Sequence, residues 1–362
     1  MHDYELKVEC VQAKDNGMAV DDIYHDIYAP KHKGYVCTLE SFDRMLRVWK
    51  KKVATDKTIL ESANLGNKFK PYGATVQIDR NGEVVQSWIK QAANEVDYDE
   101  LLQKIQQVPV ADYVEPVGND NSCGMLEIPL FDMHFGIADL DYYTETLNNL
   151  LALVYSKRWE QIFLIVGQDL FHNNDFRGNT ANGTPIEKVD ITKAFVNARD
   201  FYFTLIRACL AMADKVDISY STGNHDETIG WFFFQVLKQA FGTQATFDDR
   251  TDMRKCFHWK QIFIGYGHCD KGRANAKDIR CQFTVEFPMQ FADSVIREIH
   301  LGHLHTEIAD GTERDVNGIM VRRLSTGNIT DDWHKENGYV GNHKRFMTFE
   351  YASDWLKDIH YV

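Results

Sequence analysis

The sequence predicts an α/β protein built on a layered sheet and preceded by a small α+β module. Three observations predict it. Beyond residue 124, short apolar runs alternate with longer segments of helical periodicity, the pattern of a sheet covered by helices. Each of these runs ends at polar chemistry, with a histidine, aspartate or asparagine within four residues of it. Ahead of them, Val108 to Gly124 carries two prolines, two glycines and no steady period, so it reads as a linker. The chain therefore divides into residues 1–118 and 119–362.

Within residues 1–118 the expected order is helix, basic helix, hairpin, helix. Thr38 or Ser41 can cap a helix reaching about Val53, in which Phe42, Met45, Leu46 and Trp49 recur at helical spacing. Arg44, Arg47, Lys50, Lys51 and Lys52 crowd its other side, and Lys57 its end. T-V-Q-I-D-R-N-G-E-V-V-Q-S-W-I then alternates around Asn81-Gly82, a dipeptide suited to a tight type I′ turn. A helix from about Tyr98 to Gln107 follows. This order resembles a winged helix-turn-helix. Those five cations are then candidates for nucleic-acid binding through phosphate contacts; a solvated charged helix face is the competing reading.

Beyond the linker, strands are expected at Met125 to Phe131, Ile162 to Val166, Val216 to Tyr220, Ile262 to Tyr266 and Ile296 to Leu301. Helices are expected near Tyr142 to Trp159, Ile191 to Ala213 and Gly230 to Phe241. His172 to Asp190 reads as a long loop, a length that compact domains often use for function.

Composition narrows the classes. The 362 residues carry 40 basic and 53 acidic side chains, a net charge of -13 that gives no global attraction to nucleic acid or to anionic membrane. Seven scattered cysteines without a C-x-x-C pair indicate neither a disulfide framework nor a thiolate zinc site, which fits a reducing cytoplasm. The first residues lack the basic and apolar stretches of a signal peptide. The longest apolar segment, Phe201 to Ala213, is broken by Thr204 and Arg207 and is too short to span a bilayer, so a soluble protein without membrane association is expected.

Five motifs follow the predicted strands. Asp132-Met133-His134 places a carboxylate and an imidazole two residues apart. Gly167-Gln168-Asp169-Leu170-Phe171-His172 offers Asp169 as a bridge between two cations. Gly223-Asn224-His225-Asp226 provides an amide oxygen as ligand and a histidine for chemistry. Gly267-His268 and Gly302-His303-Leu304-His305 add imidazoles. With 14 histidines in the chain, one histidine after a strand is ordinary; five such motifs in this order are not.

The ordered set resembles the calcineurin-like metallophosphoesterase superfamily over about Asp132 to His305. The resemblance implies a four-layer α/β/β/α sandwich and two divalent metal ions. Asp132, His134, Asp169 and His305 would hold one ion, and Asp169, Asn224, His268 and His303 the other. His225 would face the substrate, with Asp226 as an orienting partner. Two cations about 3.5 to 4 Å apart bind phosphate oxygens and acidify a water between them. A histidine near them protonates the leaving oxygen. Sulfur-free ligation suits manganese, iron, zinc or nickel, and the resemblance favours Mn2+.

Departures inside the motifs bear on the substrate. Protein Ser/Thr phosphatases of this superfamily carry G-D-x-x-D-R-G and G-N-H-E, whereas this chain has G-Q-D-L-F-H-N-N and G-N-H-D. G-Q-D-L-F-H is similar to the G-G-D-L-F-H of nuclease subunits in SbcCD-type DNA repair complexes, with Gln168 replacing the second glycine. His172 would then be a second substrate-facing histidine. The chain is also similar to phage-encoded metallophosphoesterases labelled as exonucleases, which would place it in the cytoplasm of a bacterial host. Arg177, in the long loop, is a candidate phosphate clamp, and Asn328, Asp331, Trp333 and His334 are candidates to line the cleft. The leading expectation is a phosphodiesterase acting on DNA or RNA. A phosphodiesterase or phosphatase for small nucleotides or cyclic messengers, and a non-catalytic nucleic-acid- or ligand-binding protein, stand as alternatives. A homodimer is left open.

Overall fold

The computed structural model describes residues 2–32, 37–63, 69–78, 84–93, 98–118, 121–269, 276–303, 317–329 and 344–362. The chain forms two compact units, Met1–Tyr98 and Asp99–Val362. The stretch expected as a linker lies within the second unit. It is tied there by Ala111 N–H to the Ala240 carbonyl at 2.9 Å and Val117 N–H to the Ala211 carbonyl at 2.8 Å.

In the first unit, a helix at His2–Asp15 precedes a helical stretch from Val20 to Lys31, whose middle, Ile23–Tyr28, has wide π-type turns. The basic helix runs Leu39–Ala63, longer than expected, and Thr38 Oγ1 accepts the Ser41 N–H at its start. Its apolar stripe is buried as the spacing predicts: Phe42 and Leu46 join Leu6, Cys10, Val11, Ile23 and Tyr28, with Met45 and Trp49 at the margin. Strands β1 (Phe69–Ile78) and β2 (Val84–Ala93) pair antiparallel, as expected of a hairpin. The Asn81-Gly82 turn lies outside the described residues.

The second unit holds two sheets. The larger is built from β3 (Met125–Pro129), β4 (Trp159–Gly167), β5 (Ala213–Ser221), β6 (Thr246–Asp248), β11 (Met347–Tyr351) and β12 (Leu356–Tyr361), in the order β12-β11-β3-β4-β5-β6. Its β3 to β6 are parallel, and β11 and β12 extend the β3 edge antiparallel. The smaller sheet has the order β10-β9-β8-β7, from β7 (Lys255–Trp259), β8 (Ile262–Gly267), β9 (Ile296–Leu301) and β10 (Met320–Arg323).

Alternation of side chains along the strands gives the layers. On β4, Ile162, Leu164 and Val166 face a core shared with helices Thr144–Val154, Ile191–Met212 and Glu227–Phe241. Phe163 and Ile165, on the opposite face, pack with Ile262, Ile264 and Tyr266 of β8. Phe263, between these, turns to Ile279 and Phe283 of helix Ala276–Glu286. The result is the α/β/β/α sandwich. Asp190 starts the longest of these helices, its Oδ1 accepting the Thr192 and Lys193 N–H groups. Among the described residues no helix is long and apolar enough to cross a membrane.

Candidate metal centre

Strands β3, β4 and β5 run parallel in one sheet, and β8 and β9 run parallel in the other. The five motifs follow the C-terminal ends of these strands, where α/β folds gather ligand-binding groups. The chain turns there through backbone that non-glycine residues rarely adopt. Among the described residues eight non-glycines have positive φ, and six stand in these loops: Asp132, His134, Gln168, Asp169, Cys269 and His303. Such conformations cost of order 1–3 kcal/mol each and persist where the surroundings impose them. A backbone ladder holds four of them: Asp132 N–H donates to the Gln168 carbonyl at 2.7 Å, His134 N–H to Asp169 at 3.0 Å, and Gln168 N–H to Ser221 at 2.7 Å.

Asp169 is the hub. Its Oδ1 accepts the His225 N–H at 2.7 Å, and its Oδ2 lies 3.0 Å from His268 Nε2. Two groups of donor atoms meet on it, Asp132 with His134 and Asp169, and Asp169 with His268 and His303, each within 4.8 Å. His268 Nε2 lies 2.7 Å from Asn224 Oδ1 and 3.2 Å from His303 Nδ1. Burial pushes the Asp169 carboxyl up, but His268, His225 and His134 outweigh it and hold the group well below the usual carboxylate range. Gly223 makes this approach feasible, because a Cβ there would sit 2.1 Å from Asp169 Oδ1.

Carboxylate oxygens, imidazole nitrogens and one amide oxygen, with Asp132, His134, Asp169 and His268 buried and Asn224 and His303 partly so, are donors that suit divalent cations. Six of the seven expected ligands are brought together; His305 lies outside the described residues, as do Asp331, Trp333 and His334. A third group joins His134, His172 and His225, with ring centroids of His134 and His225 4.6 Å apart.

Two orientations differ from expectation. His225 Nδ1 lies 2.9 Å from the His172 carbonyl, so the backbone, not Asp226, orients that ring. Asp226 Oδ2 instead accepts the Phe171 N–H at 2.9 Å, supporting the second motif from beneath. Burial first, and the charge of Asp169 second, raise Asp226 to about 8.

Arg177 stands exposed on the long loop, its N–H donating to Asp175 Oδ1. Asn328 is fully buried, two residues from Thr326. Thr326 was not anticipated: its hydroxyl donates to the Asp132 carbonyl at 2.7 Å. Asn174 was also missed, and its Oδ1 accepts the Thr228 N–H at the start of helix Glu227–Phe241. The asparagine pair after His172 was its only sequence signal. In the first unit, Arg44 pairs with Glu40 at 2.9 Å, Arg47 with Asp43 at 2.7 Å and Lys50 with Asp15 at 2.8 Å, so these three candidate cations already have acidic partners.

No family model matches the chain, and no curated protein matches it. Solved structures that resemble it include a single mutant of Vps29 from Entamoeba histolytica, at 13% identity and a TM-score of 0.33, covering 66% of this chain and 97% of that one. Wild-type Vps29 from the same organism, complexed with Zn2+, matches at 12% identity and a TM-score of 0.30 over 66% and 97%. A protein of unknown function from Aquifex aeolicus, AQ665, matches at 15% identity and a TM-score of 0.29 over 60% and 94%. Identities and scores of this size carry no assignment of activity.

Proposed function

We propose that the chain is a two-metal phosphoester hydrolase whose substrate is nucleic acid. The observation that carries the reading is Asp169, a buried carboxylate within reach of donor groups from both sheets. Asp132, His134 and Asp169 would hold one cation and Asp169, Asn224, His268 and His303 the other, with His305 completing the first. Bound cations of this kind supply positive charge to the phosphoryl oxygens and lower the pKa of an attacking water. The chain's own contribution is orientation and proton delivery. Held by its Nδ1–H on the His172 carbonyl, the His225 ring presents Nε2 as the atom that gives a proton to the leaving oxygen. His172 lies beside it, 5.4 Å between ring centroids, as a second contact for the phosphate. The nucleic-acid assignment rests on the second motif, G-Q-D-L-F-H, and on the basic helix Leu39–Ala63 as a holder of the backbone. Manganese is the metal to supply first.

The test is a panel of labelled DNA, RNA, cyclic dinucleotides and aryl phosphates offered to the manganese-loaded protein, with Asp169→Asn and His225→Ala beside it. Hydrolysis of DNA or RNA that both variants lose, with metal content retained in His225→Ala, is the expected result. Turnover of cyclic dinucleotides or aryl phosphates alone would move the substrate to small phosphoesters. Binding without hydrolysis across several metals would remove the enzymatic reading.

A further inference from the structure

A cavity of about 160 Å³ opens on the His268 side of the metal centre. Its walls come from three places in the second unit: Thr222 and Glu227 after β5, Thr251 and Met253 before β7, and His268 and Cys269 after β8. Gly267 brings the second wall in. A Cβ at that position would stand 2.5 Å from the Met253 carbonyl, so glycine there lets the Thr251–Met253 segment press against the strand end that carries His268.

The size and lining restrict the occupant. Sites enclosing a drug-sized ligand run to roughly 300–1,000 Å³, so this cavity takes one planar base, single- or fused-ring, and not a whole nucleotide or a base pair. Met253, about half exposed, offers a polarizable thioether as a flat apolar contact. Two threonine hydroxyls donate or accept. Glu227 is exposed at the rim, where its carboxylate repels a second phosphate and accepts from N–H groups.

We propose that this cavity receives one unpaired nucleobase of the substrate while its phosphate lies on the metal centre. Guanine matches best, because its ring N–H and amino group can both donate to the single Glu227 carboxylate. Adenine and cytosine offer an amino group alone, and uracil a ring N–H alone. A base held in a duplex cannot enter, so the bound substrate is single-stranded or has the nucleotide turned out of its stack. The proposal takes the position of the phosphate from the phosphoesterase reading and adds the identity of its neighbour.

The experiment is calorimetric titration of the manganese-loaded full chain with GMP, AMP, CMP, UMP and ribose 5-phosphate, repeated on Met253→Trp and Glu227→Gln. Wild type should bind GMP at least about tenfold more tightly than ribose 5-phosphate, since even one of its two hydrogen bonds to a charged group is worth that factor. Filling the cavity in Met253→Trp should erase the preference for every base. Glu227→Gln should lower GMP toward AMP. Equal affinity for all five ligands in wild type would overturn the proposal, as would a base ranking that survives both substitutions. Binding is read here without turnover, so the two readings fail separately. An inactive protein that still ranks the bases loses the hydrolase assignment alone, and an active nuclease with no ranking loses the cavity alone.

Discussion

His300 on β9 is fully buried between the two sheets, with its Nδ1 2.8 Å from Glu127 Oε1 on β3 and its Nε2 3.5 Å from Glu298 Oε2. Tyr351 donates to the other Glu127 oxygen at 3.0 Å, and Arg322 Nε lies 2.8 Å from Glu298 Oε2. Burial alone would depress this imidazole, yet the Glu127 and Glu298 carboxylates raise it from 6.5 to about 9. A rise of that size corresponds to about 3 kcal/mol of stability, fully present below the unfolded value near 6.5 and lost as pH climbs through about 9. His300→Gln removes the charge and leaves Glu127 buried without it, so at pH 6.5 the variant should lose about 3 kcal/mol, or roughly 6–12 °C in melting temperature for a unit of this size. Thermal melts of both proteins from pH 6 to 10 test this. Asp226, at about 8, and Lys255, lowered by burial to about 8, titrate in the same window, but both are present in each protein and cancel in the difference. The gap should therefore close as pH rises. A gap below 1 kcal/mol at pH 6.5, or one that stays constant to pH 10, would refute a buried imidazolium.

Two further outcomes concern the metal site and one the basic helix. Gly223→Ala would place a methyl group 2.1 Å from Asp169 Oδ1, so metal titration should show at least one cation weakened while the far-ultraviolet circular dichroism is kept. Asp226→Asn keeps the size of a group whose pKa of about 8 favours the neutral form at pH 7. Activity should stay within a few-fold, whereas Asp226→Ala, which strands the buried Phe171 N–H, should cost about 1–3 kcal/mol in chemical denaturation. Replacing Lys51 and Lys52 by Gln should reduce the slope of log affinity against log salt for DNA by about 2, one per lost phosphate contact; an unchanged slope would return that face to solvent.

Much of the sandwich was legible because parallel strands buried on both faces must be written as continuous apolar runs. β4 and β8 are the clearest cases, and β9 begins and ends where its run does. The strands that escaped notice have the opposite character. Edge strand β6 is three residues long, and β11 buries Thr348 and Glu350 among its aromatics, with Glu350 paired to Lys157 and Lys357. The metal donors were legible for a different reason: strand-end chemistry lies close in sequence to the strand that positions it. Partners lying far apart were not. Asp226 adjoins His225 in sequence but bonds to a loop 55 residues away, and Thr326 reaches Asp132 across 194 residues. His300 has the sequence character of one more site histidine, and only the return of Glu127 opposite it gives it a structural role.

The division of donors between the sheets joins that structural role to the site. Asp132, His134, Asp169, Asn224 and His225 follow strands of the larger sheet, and His268 and His303 follow strands of the smaller. The contact of Asp169 with His268 therefore spans the two sheets. Their spacing is set by what lies between them, an apolar layer of Phe163, Ile165, Ile264 and Tyr266 and the hydrogen bond from His300 to Glu127. That bond sits on β9 three residues before His303 and on β3 five before Asp132. An apolar contact sets a distance but tolerates sliding, whereas a charge-assisted hydrogen bond fixes register as well. His300→Gln should consequently weaken metal binding even at a temperature where the variant is fully folded. Calorimetric titration with manganese, at pH 7 and well below the melting transition, decides it: an affinity equal to wild type would mean that the apolar layer alone holds the two halves of the site in register.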